Sequence, residues 1–580
     1  MKTRNKWLAL LLGAVMTVGM LSGCAGTKED TKQSSTVKES VQNTETEKEE
    51  TATQDSQEEN SVRISDEVLT YTVAGPYLAA SMDWNNTVQF KEYENRLGIK
   101  LDATSYDSDT WKSKMTLLIA SDELPDIMVN AGMDRLDLAK YGKEGYFLDI
   151  SQYLDVMPNL SAYLEKYPEY ARHLTMDDGA IYGLEPLNTF TQSTKSVGIY
   201  ISQTWLDNLG LQQPKSVDDL YTVLKAFKEQ DANGNGKTDD EIPMMITFNG
   251  RYYPELPILW AYGIPSRKAD IHESVDENGR VILWNTTDNY KEYLRFMHKL
   301  YAEKLINEDA FVLTDAEAKE LVKTGIAGIS CEGVIDVSGT NDGDYDHQKW
   351  AGVTGLTSEY NDKSIMVISS TISGSNFSIM VNADVENPEA VCRFLDYMYT
   401  EEGAISAMNG YEGLTFDLKD VEGFQVIDHS KYAEAAGLTS SEEYRQKIAV
   451  AAGAFSLLKI NKYTIYDMLE NIDKNLLMQG DCLKLATGNA MREMMWRDAK
   501  QAGVTILDQF PTLYYTEEES TQMSTLKTDI TNYVKTVKVQ FITGELDIDK
   551  DWDSYLNEMN KMGADRFLEI EQAAYDRLSK

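Results

Sequence analysis

The sequence predicts an α/β protein with two lobes. Short apolar runs that alternate like strands are followed by segments with apolar residues at three- and four-residue spacing, so strands and helices succeed each other along the chain. That order is typical of parallel sheets with helices on both faces. The chain has 580 residues, of which 42% are hydrophobic and 10% are aromatic. It is too long for one hydrophobic core and apolar enough to fill two.

The first elements are predicted in the order strand, helix, strand, helix, strand. Residues 68–74 alternate like a strand, 86–97 are an amphipathic helix, and 99–103 are a second strand. A helix over 111–120 then precedes a strand over 124–129. This alternation is the evidence for a parallel sheet near the start of the folded part.

The rest of the chain continues the pattern and becomes mainly helical. A strand over 197–201 leads into a helix over 203–209, and another amphipathic helix spans 217–230. Towards the carboxyl terminus, the spacing of apolar residues predicts long helices over 524–541 and 552–578.

The amino terminus has the layout of a secretory signal. Basic residues precede an apolar run over 7–20, which is followed by Leu21-Ser22-Gly23-Cys24. The last four residues resemble a bacterial lipobox, in which the cysteine is acylated and the preceding peptide bond is cut. We therefore predict a signal peptide over 1–23 and a lipid on Cys24. An uncleaved membrane anchor is the alternative, although the run is shorter than the about 20 residues that a span needs.

The next segment, 24–61, is predicted to be a disordered tether. After Cys24 it contains Thr, Ser, Glu, Lys and Gln, no aromatic residue and almost nothing apolar, so it cannot offset its ordering entropy. The formal net charge is −39, and loss of the three basic residues of the signal takes it to about −42. Such a surface repels nucleic acid and anionic lipid, so the lipid anchor is the expected membrane contact.

Lipidation of Cys24 would leave Cys331, Cys392 and Cys482. An odd number cannot be fully paired, and no CxxC motif occurs. We expect these three residues to be small, buried apolar side chains, with one disulfide as the alternative.

The segment from Asp231 to Pro243 carries the clearest chemistry. Oxygen-bearing side chains stand at positions one, three, five and nine, and glycine stands at position six. Calcium prefers six to eight hard oxygen donors at about 2.4 Å, and a tight loop with alternate ligands supplies them. We predict a structural calcium site formed by Asp231, Asn233, Asn235, the Lys237 carbonyl, Asp239 and a carboxylate from Asp240 or Glu241.

This loop departs from an EF-hand because Ile242 stands at position twelve, where an EF-hand has a bidentate Glu. The spacing therefore predicts calcium without a calcium-triggered opening of helices. The alternative is a plain Asn/Gly turn between a helix and a strand.

Several short motifs, taken in order, resemble the family 1 extracellular solute-binding proteins of ABC importers, in the subgroup of LipO-like and alginate-binding lipoproteins. The resemblance extends from Val68 to the carboxyl terminus, and the Asp231 loop matches the subgroup's calcium site with one extra acidic residue. The motifs are FKEYENRLGI (90–99), LIASDELPDI (118–127), MPNL (157–160), DGAIY (178–182), WLDNLGL (205–211), EG (412–413), YV (533–534), FITG (541–544) and MG (562–563).

The resemblance implies a periplasmic-binding-protein-like fold of type II, with two α/β lobes, a hinge and a ligand cleft. It also implies a carbohydrate ligand, the permease subunits of an ABC importer as partners, and a location outside the cell membrane. We expect a monomer. Lobe 1 is predicted over 62–182 and 353–425, and lobe 2 over 183–352 and 426–580.

Sugars are held by aromatic faces and by planar polar side chains, so candidates are aromatic and polar residues in loops. Trp84, Asn85 and Asn130 follow predicted strands, where open sheets bind ligands. The second lobe could contribute Trp260 and Tyr262. Core packing is the alternative for each tryptophan. Weaker candidates are Glu332, Trp350 and Trp496.

Enzymatic readings have less support. The five histidines are scattered, and no HExxH, GxSxG, P-loop or GxGxxG motif occurs. We therefore predict a binding protein. A surface hydrolase or lyase that degrades polysaccharides and a ligand-sensing lipoprotein without a transporter are the alternatives.

Overall fold

The computed structural model describes residues 62–77, 82–189, 195, 198–248, 255–331, 350–369, 377–448, 455–473 and 480–578. The predicted signal peptide, Cys24, the tether and Glu332 lie outside these residues. The strands are β1 (Leu69–Tyr77), β2 (Ile99–Asp107), β3 (Ile127–Met133), β4 (Leu187–Asn188), β5 (Ile199–Ser202), β6 (Ile242–Met244), β7 (Glu273–Val275), β8 (Val281–Leu283), β9 (Ala327–Cys331), β10 (Trp350–Gly352), β11 (Ile365–Ile368), β12 (Phe377–Val381), β13 (Asp417–Val421), β14 (Phe424–Asp428), β15 (Leu458–Lys459) and β16 (Thr505–Asp508).

The α-helices alternate with these strands in the first half and dominate the last third. They are α1 (Val88–Glu92), α2 (Ser108–Ser121), α3 (Arg135–Lys143), α4 (Pro158–Lys166), α5 (Pro168–Leu174), α6 (Gln203–Leu209), α7 (Val217–Glu229), α8 (Leu256–Ala261), α9 (Asp288–Ala302), α10 (Asp315–Lys323), α11 (Pro388–Tyr397), α12 (Glu401–Asn409), α13 (Ser430–Ala435), α14 (Ser441–Ile448), α15 (Ile465–Asn471), α16 (Gly480–Gln501), α17 (Glu517–Thr543), α18 (Trp552–Lys561) and α19 (Ala564–Leu578).

The first sheet has the strand order β12-β3-β1-β2. Strand β1 is parallel to both of its neighbours, with Leu69 opposite Ile99 and Val73 opposite Ile127. Strand β12 runs antiparallel to β3. The predicted parallel arrangement is thus confirmed for β1, β2 and β3 and is wrong for β12. The physical reason is that β12 follows β11 of another sheet, so no strand–helix–strand crossover brings it in parallel.

The second sheet has the order β10-β5-β9-β6 and is mixed. Strands β6 and β9 are parallel, whereas β5 runs antiparallel to both β9 and β10. The prediction of a parallel sheet is therefore wrong for most of this sheet. Mixed sheets of this kind are common in α/β folds with helices on both faces.

Two large hydrophobic cores accompany the two sheets. The smaller core takes buried residues from Tyr71 to Leu187, from Phe377 to Tyr411 and from Phe455 to Leu458. The larger core takes them from Ile199 to Val367 and from Met491 to Ile570. A minor third cluster includes Val421, Val426 and Met468. Within the described ranges, no helix is long and apolar enough to cross a membrane.

Several residues pack in a different core from the one that their predicted lobe implies. Leu184 and Leu187, predicted in lobe 2, pack in the smaller core. Val353 and the residues of β11, predicted in lobe 1, pack in the larger core because β11 pairs in parallel with β16. The lobe boundaries themselves stay a prediction.

Glycine ends one predicted helix at its predicted bound and divides another. The helix predicted over 86–97 is α1 followed by a π-helical turn, and it ends at Gly98 with a φ of 74°. A side chain at Gly98 would also collide with the backbone of Ser65. The helix predicted over 552–578 is divided into α18 and α19 around Gly563, which has a φ of 94°. A positive φ ends a right-handed helix at little cost only where the residue has no Cβ.

The predicted state of the cysteines is confirmed for two of them. Cys331 lies in the larger core and Cys392 in the smaller core, and both are buried cysteines that form no disulfide among the described residues. They are therefore packing residues, as predicted. The side chain of Cys482 lies outside the described part of the structure.

A buried acidic pair lies between the last helix and a short strand of the larger core. Glu571 on α19 accepts a hydrogen bond from the Tyr515 hydroxyl at 2.5 Å, and Glu273 on β7 pairs with Lys268. Both carboxyl groups are buried. Burial, together with the nearby carboxylate of Glu273, raises the pKa of Glu571 to about 7.

This pair predicts a loss of stability as the pH rises. Between the ordinary glutamate pKa of about 4.3 and the folded value, the folded protein holds a proton that the unfolded chain has released, so the unfolding free energy falls with increasing pH. The loss is at most on the order of 4 kcal/mol. Glu571→Gln should remove most of it, as measured by thermal unfolding between pH 5 and pH 8.

The matched control is Glu569→Gln on the same helix, where the carboxylate is largely exposed. This variant should keep the pH dependence of the parent protein. Equal pH profiles for Glu571→Gln and the parent would show that Glu571 does not titrate in this range.

Candidate functional site

The predicted calcium loop connects α7 to β6 in the larger core. Helix α7 begins with a capping box at Ser216 and ends before Gln230, whose extended backbone starts the loop. The Asn208 side chain donates to the carbonyl of Ala232 at 2.9 Å, and Ala232 is buried. The loop is therefore held at its base by the protein core.

Side-chain oxygens within the loop accept hydrogen bonds from its own backbone. The Asp231 carboxylate accepts from the amides of Asn235 and Gly236 at 3.0 and 2.9 Å. Asn233 Oδ1 accepts from the Asn235 amide at 3.0 Å, and Asn235 Oδ1 accepts from the Lys237 amide at 2.8 Å. Gly236 has a φ of 88°. These hydrogen bonds fold the backbone into a tight loop, to which the side-chain oxygens at positions one, three and five are bonded.

Asp240 lies against the same asparagines. Its carboxylate accepts from Asn235 Nδ2 at 2.9 Å and from Asn233 Nδ2 at 3.3 Å. The bond with Asn235 is the main reason that the pKa of Asp240 is lowered, so this group is ionised. The Lys237 ammonium lies 3.6 Å from Asp240 and is mostly exposed.

Glu241 supplies a buried oxygen without a hydrogen-bond partner. Its Oε1 accepts from the Ala232 amide at 3.2 Å, whereas Oε2 has no partner among the described residues. Burial raises the pKa of this carboxyl group. A buried carboxylate oxygen without a partner is costly, and a bound cation would satisfy it.

The donor set fits a hard cation. No group of three or more His, Cys, Asp or Glu side chains suited to a metal occurs in the described part of the chain. The loop differs from such a group because two of its converging residues are asparagines, whose amide oxygens are also calcium ligands. Asp239 is exposed. Asp240 and Glu241 have the closer contacts with the loop and are the better candidates for the closing carboxylate.

The aromatic residues predicted to contact a ligand lie mainly in the cores. Trp84 and Trp260 are each 1% exposed. The Trp84 indole packs against β1 at Gly75, where a Cβ would lie 2.7 Å from its Cη2 atom. The Trp260 indole donates to the Ser266 carbonyl at 2.7 Å. Neither indole has an open face in this structure, which matches the core-packing alternative.

Tyr262 and Trp496 are buried as well. The Tyr262 ring stacks on Tyr360 with 5.8 Å between centroids, and the Trp496 indole donates to the Lys195 carbonyl at 3.0 Å. Trp350 is partly buried on β10 and packs against the larger core. The structure does not gather these rings around one open site.

The two predicted asparagines have different surroundings. Asn85 is exposed, but both atoms of its amide bond the backbone of Ala103, at 2.9 and 2.8 Å. The Asn85 side chain therefore holds the loop that follows β1 against strand β2. Asn130 lies on β3 with a positive φ of 48°. Glu332 is outside the described residues.

Some buried polar groups that the sequence did not indicate have no hydrogen-bond partner in the described part of the protein. Gln89 on α1 is fully buried, and neither atom of its amide is bonded; the Trp84 Nε1 and the Tyr200 hydroxyl share this state. Water or a solute would satisfy such groups. Gln89 lies between Val88 and Phe90 in the sequence, and no pattern of residue spacing there indicates that its amide is buried.

The α/β fold is shared with solute-binding proteins of known structure. The sequence model of the bacterial extracellular solute-binding protein family matches residues 83–405, and the chain belongs to this family. The predicted family and the predicted α/β fold of the type II periplasmic-binding-protein class are both confirmed.

Individual relatives make the resemblance more specific. The chain is 27% identical over 512 residues to the fructooligosaccharide ABC transporter substrate-binding protein FusA of Streptococcus pneumoniae serotype 4, which covers 85% of this chain and 88% of FusA. It is 28% identical over 442 residues to lipoprotein LipO of Bacillus subtilis, covering 72% of this chain and 75% of LipO. A solved structure of S. pneumoniae FusA with kestose has a TM-score of 0.66 and 25% identity, covering 88% of this chain and 99% of that chain.

Proposed function

We propose that the protein is an extracytoplasmic lipoprotein that delivers an oligosaccharide to an ABC importer by closing two lobes around it. The observation that carries this proposal is the alignment of 85% of the chain with FusA, which is named for fructooligosaccharide. The FusA structure that shares its fold with this chain holds kestose. The permease subunits of the importer are the proposed partners, and the protein itself acts as a monomer.

The bound solute is released without chemical change. The family is defined by solute binding. Three buried carboxylates, those of Glu185, Glu273 and Glu571, are bonded to His173, Lys268 and Tyr515 respectively. This supports a role for them in the fold instead of one as an open acid pair for glycoside hydrolysis.

The chain is proposed to be held at the outer face of the membrane by a lipid on Cys24. The basic, apolar and small residues before Cys24 support this, and so does the similarity to a protein named as a lipoprotein. The acidic and polar residues up to 61 would then separate the folded part from the membrane.

Calcium is proposed to bind the Asp231 loop. The residues that would hold it are Asp231, Asn233, Asn235 and a carboxylate from Asp240 or Glu241, with the Lys237 carbonyl. The buried, unpartnered Oε2 of Glu241 supports the proposal. The ion would stabilise the loop between α7 and β6 and would take no part in solute chemistry.

An oligosaccharide should raise the thermal stability of the purified protein. Kestose and a panel of neutral and acidic plant oligosaccharides are the probes, and thermal unfolding and calorimetry are the measurements. A glycan present at 100 times its Kd should add about 2.7 kcal/mol to the unfolding free energy. Monosaccharides are the control. If no glycan binds, the proposed function is wrong, and if products accumulate, the protein is an enzyme.

Replacement of Cys24 should release the protein from the membrane. In Cys24→Ser the acyl acceptor is missing, so metabolic labelling with palmitate should be lost and the protein should appear in the medium. Cys392→Ala removes a buried thiol and should keep the label. Labelling of the Cys24→Ser chain would contradict the lipid assignment.

Calcium should bind the chelator-treated protein and raise its melting temperature. Asp231→Asn removes one ligand charge, so the calcium affinity measured by calorimetry should fall by about tenfold or more. Glu229→Gln removes a neighbouring charge on an exposed side chain at the end of α7 and should leave the affinity unchanged. Absence of binding heat in the parent protein would show that the loop is a plain turn.

A further inference from the structure

Residues 509–516 form an irregular segment that is attached to the larger core. The segment connects β16 to α17, and both elements pack on that core. Phe510 stacks on Tyr575 of α19 with 6.5 Å between ring centroids. Arg577 of the same helix donates to the Tyr514 carbonyl at 3.0 Å. The backbone at Tyr514 is therefore tied to α19.

The side chain of Tyr514 extends away from α19 and contacts the smaller core. Its hydroxyl lies 2.8 Å from Nδ1 of His173, which is the residue before the end of α5. The guanidinium carbon of Arg135 lies 4.5 Å from the centre of the Tyr514 ring. Arg135 also donates to the carbonyl of His173 at 2.6 Å. The phenol is therefore held at its polar end and on one face.

His173 is fixed in turn by buried neighbours. Its Nε2 bonds the carboxylate of Glu185, and its ring stacks on Phe377 at 5.2 Å with an angle of 3° between the planes. A carboxylate can only accept, so Nε2 donates to Glu185, and the other ring nitrogen, Nδ1, shares a hydrogen bond with the Tyr514 hydroxyl. Burial raises the pKa of Tyr514 to about 12 while Arg135 lowers it, so the phenol stays a donor at neutral pH.

The neighbouring residue provides an internal comparison. The Tyr515 hydroxyl donates to Glu571 of α19, and its ring packs against the larger core. Two adjacent phenols in one segment therefore bond to opposite cores. Of these two bonds, the one made by Tyr514 joins the two cores.

We propose that Tyr514 is a positioning residue that holds the smaller core to the larger one through His173 and Glu185. Glu185 lies two residues before β4, and the chain passes from β4 to β5 of the larger core. The contact is thus anchored beside a crossing between the cores. It sets the relative free energy of the arrangement seen here and of arrangements in which the cores have moved apart.

A solute that binds between two lobes favours the closed arrangement by its higher affinity for that arrangement. Its measured affinity therefore includes the free-energy difference between the arrangements, which the Tyr514 contact helps to set. That last step rests on the proposed function. The contact itself does not, and it can be tested without any solute.

The test is the distance between spin labels on the two cores of the full chain, carrying Cys24→Ser. Labels are placed by Leu117→Cys, on α2 of the smaller core, and Val312→Cys, beside the larger core; these side chains are 63% and 77% exposed. Tyr514→Phe should displace or broaden the distance distribution. Tyr515→Phe, the matched control, should leave it as in the parent. A chain without the two new cysteines gives the background labelling.

A coupling test separates positioning from loss of packing. If Tyr514 acts through His173, the double variant Tyr514→Phe with His173→Gln should show no greater displacement than the more affected single variant. Thermal unfolding establishes that each variant is folded. The proposal is overturned if Tyr514→Phe leaves the distribution unchanged, if Tyr515→Phe changes it equally, or if the two substitutions add. Failure to bind any glycan would overturn only the proposed function.

Discussion

The constraint on which the rest of the structure depends is that two hydrophobic cores are built from segments that alternate along the chain. The chain leaves the smaller core after Leu187, returns to it at Phe377 and again at Phe455. Near these passages, short pairings such as β15 with β4 satisfy backbone groups. Glu185, a buried polar residue just before β4, has partners at both ends: its carboxylate bonds His173 and its carbonyl accepts from the Tyr170 hydroxyl.

Local structure was predictable where the determining signal is local. The predicted bounds of helix α6 are those of the structure, since Ser202 caps its first turn and Gly210, with a φ of 65°, ends it. The Asp231 loop was recognisable for the same reason, because its contacts join residues within eleven positions of each other. The antiparallel direction of β12 was not predictable, because it depends on which core the chain has just left.

The ligand-facing residues were not predictable in the same way. A loop after a strand contains side chains that point outwards and others that fold back, and Trp84 folds back because Gly75 leaves room for its indole. Burial of that kind depends on a neighbouring strand and has no signal at the tryptophan itself. The contact between His173 and Tyr514 spans 341 positions, and no periodicity relates residues so far apart. The sequence therefore located the class of protein and the tight Asp231 loop, and left the contacts between the cores undetermined.

The same reasoning changes where solute contacts are to be sought. An exposed aromatic ring costs little to keep, so its presence in a loop is weak evidence of binding. A fully buried amide or hydroxyl without a partner costs about 1–3 kcal/mol, and a stable fold keeps it only when water or a ligand completes its hydrogen bonds. Gln89 and the Tyr200 hydroxyl meet that description within the described residues, one in each core. By this argument unbonded polar atoms, the Trp84 Nε1 among them, are better places to seek solute contacts than indoles whose N–H already has a partner, such as that of Trp260.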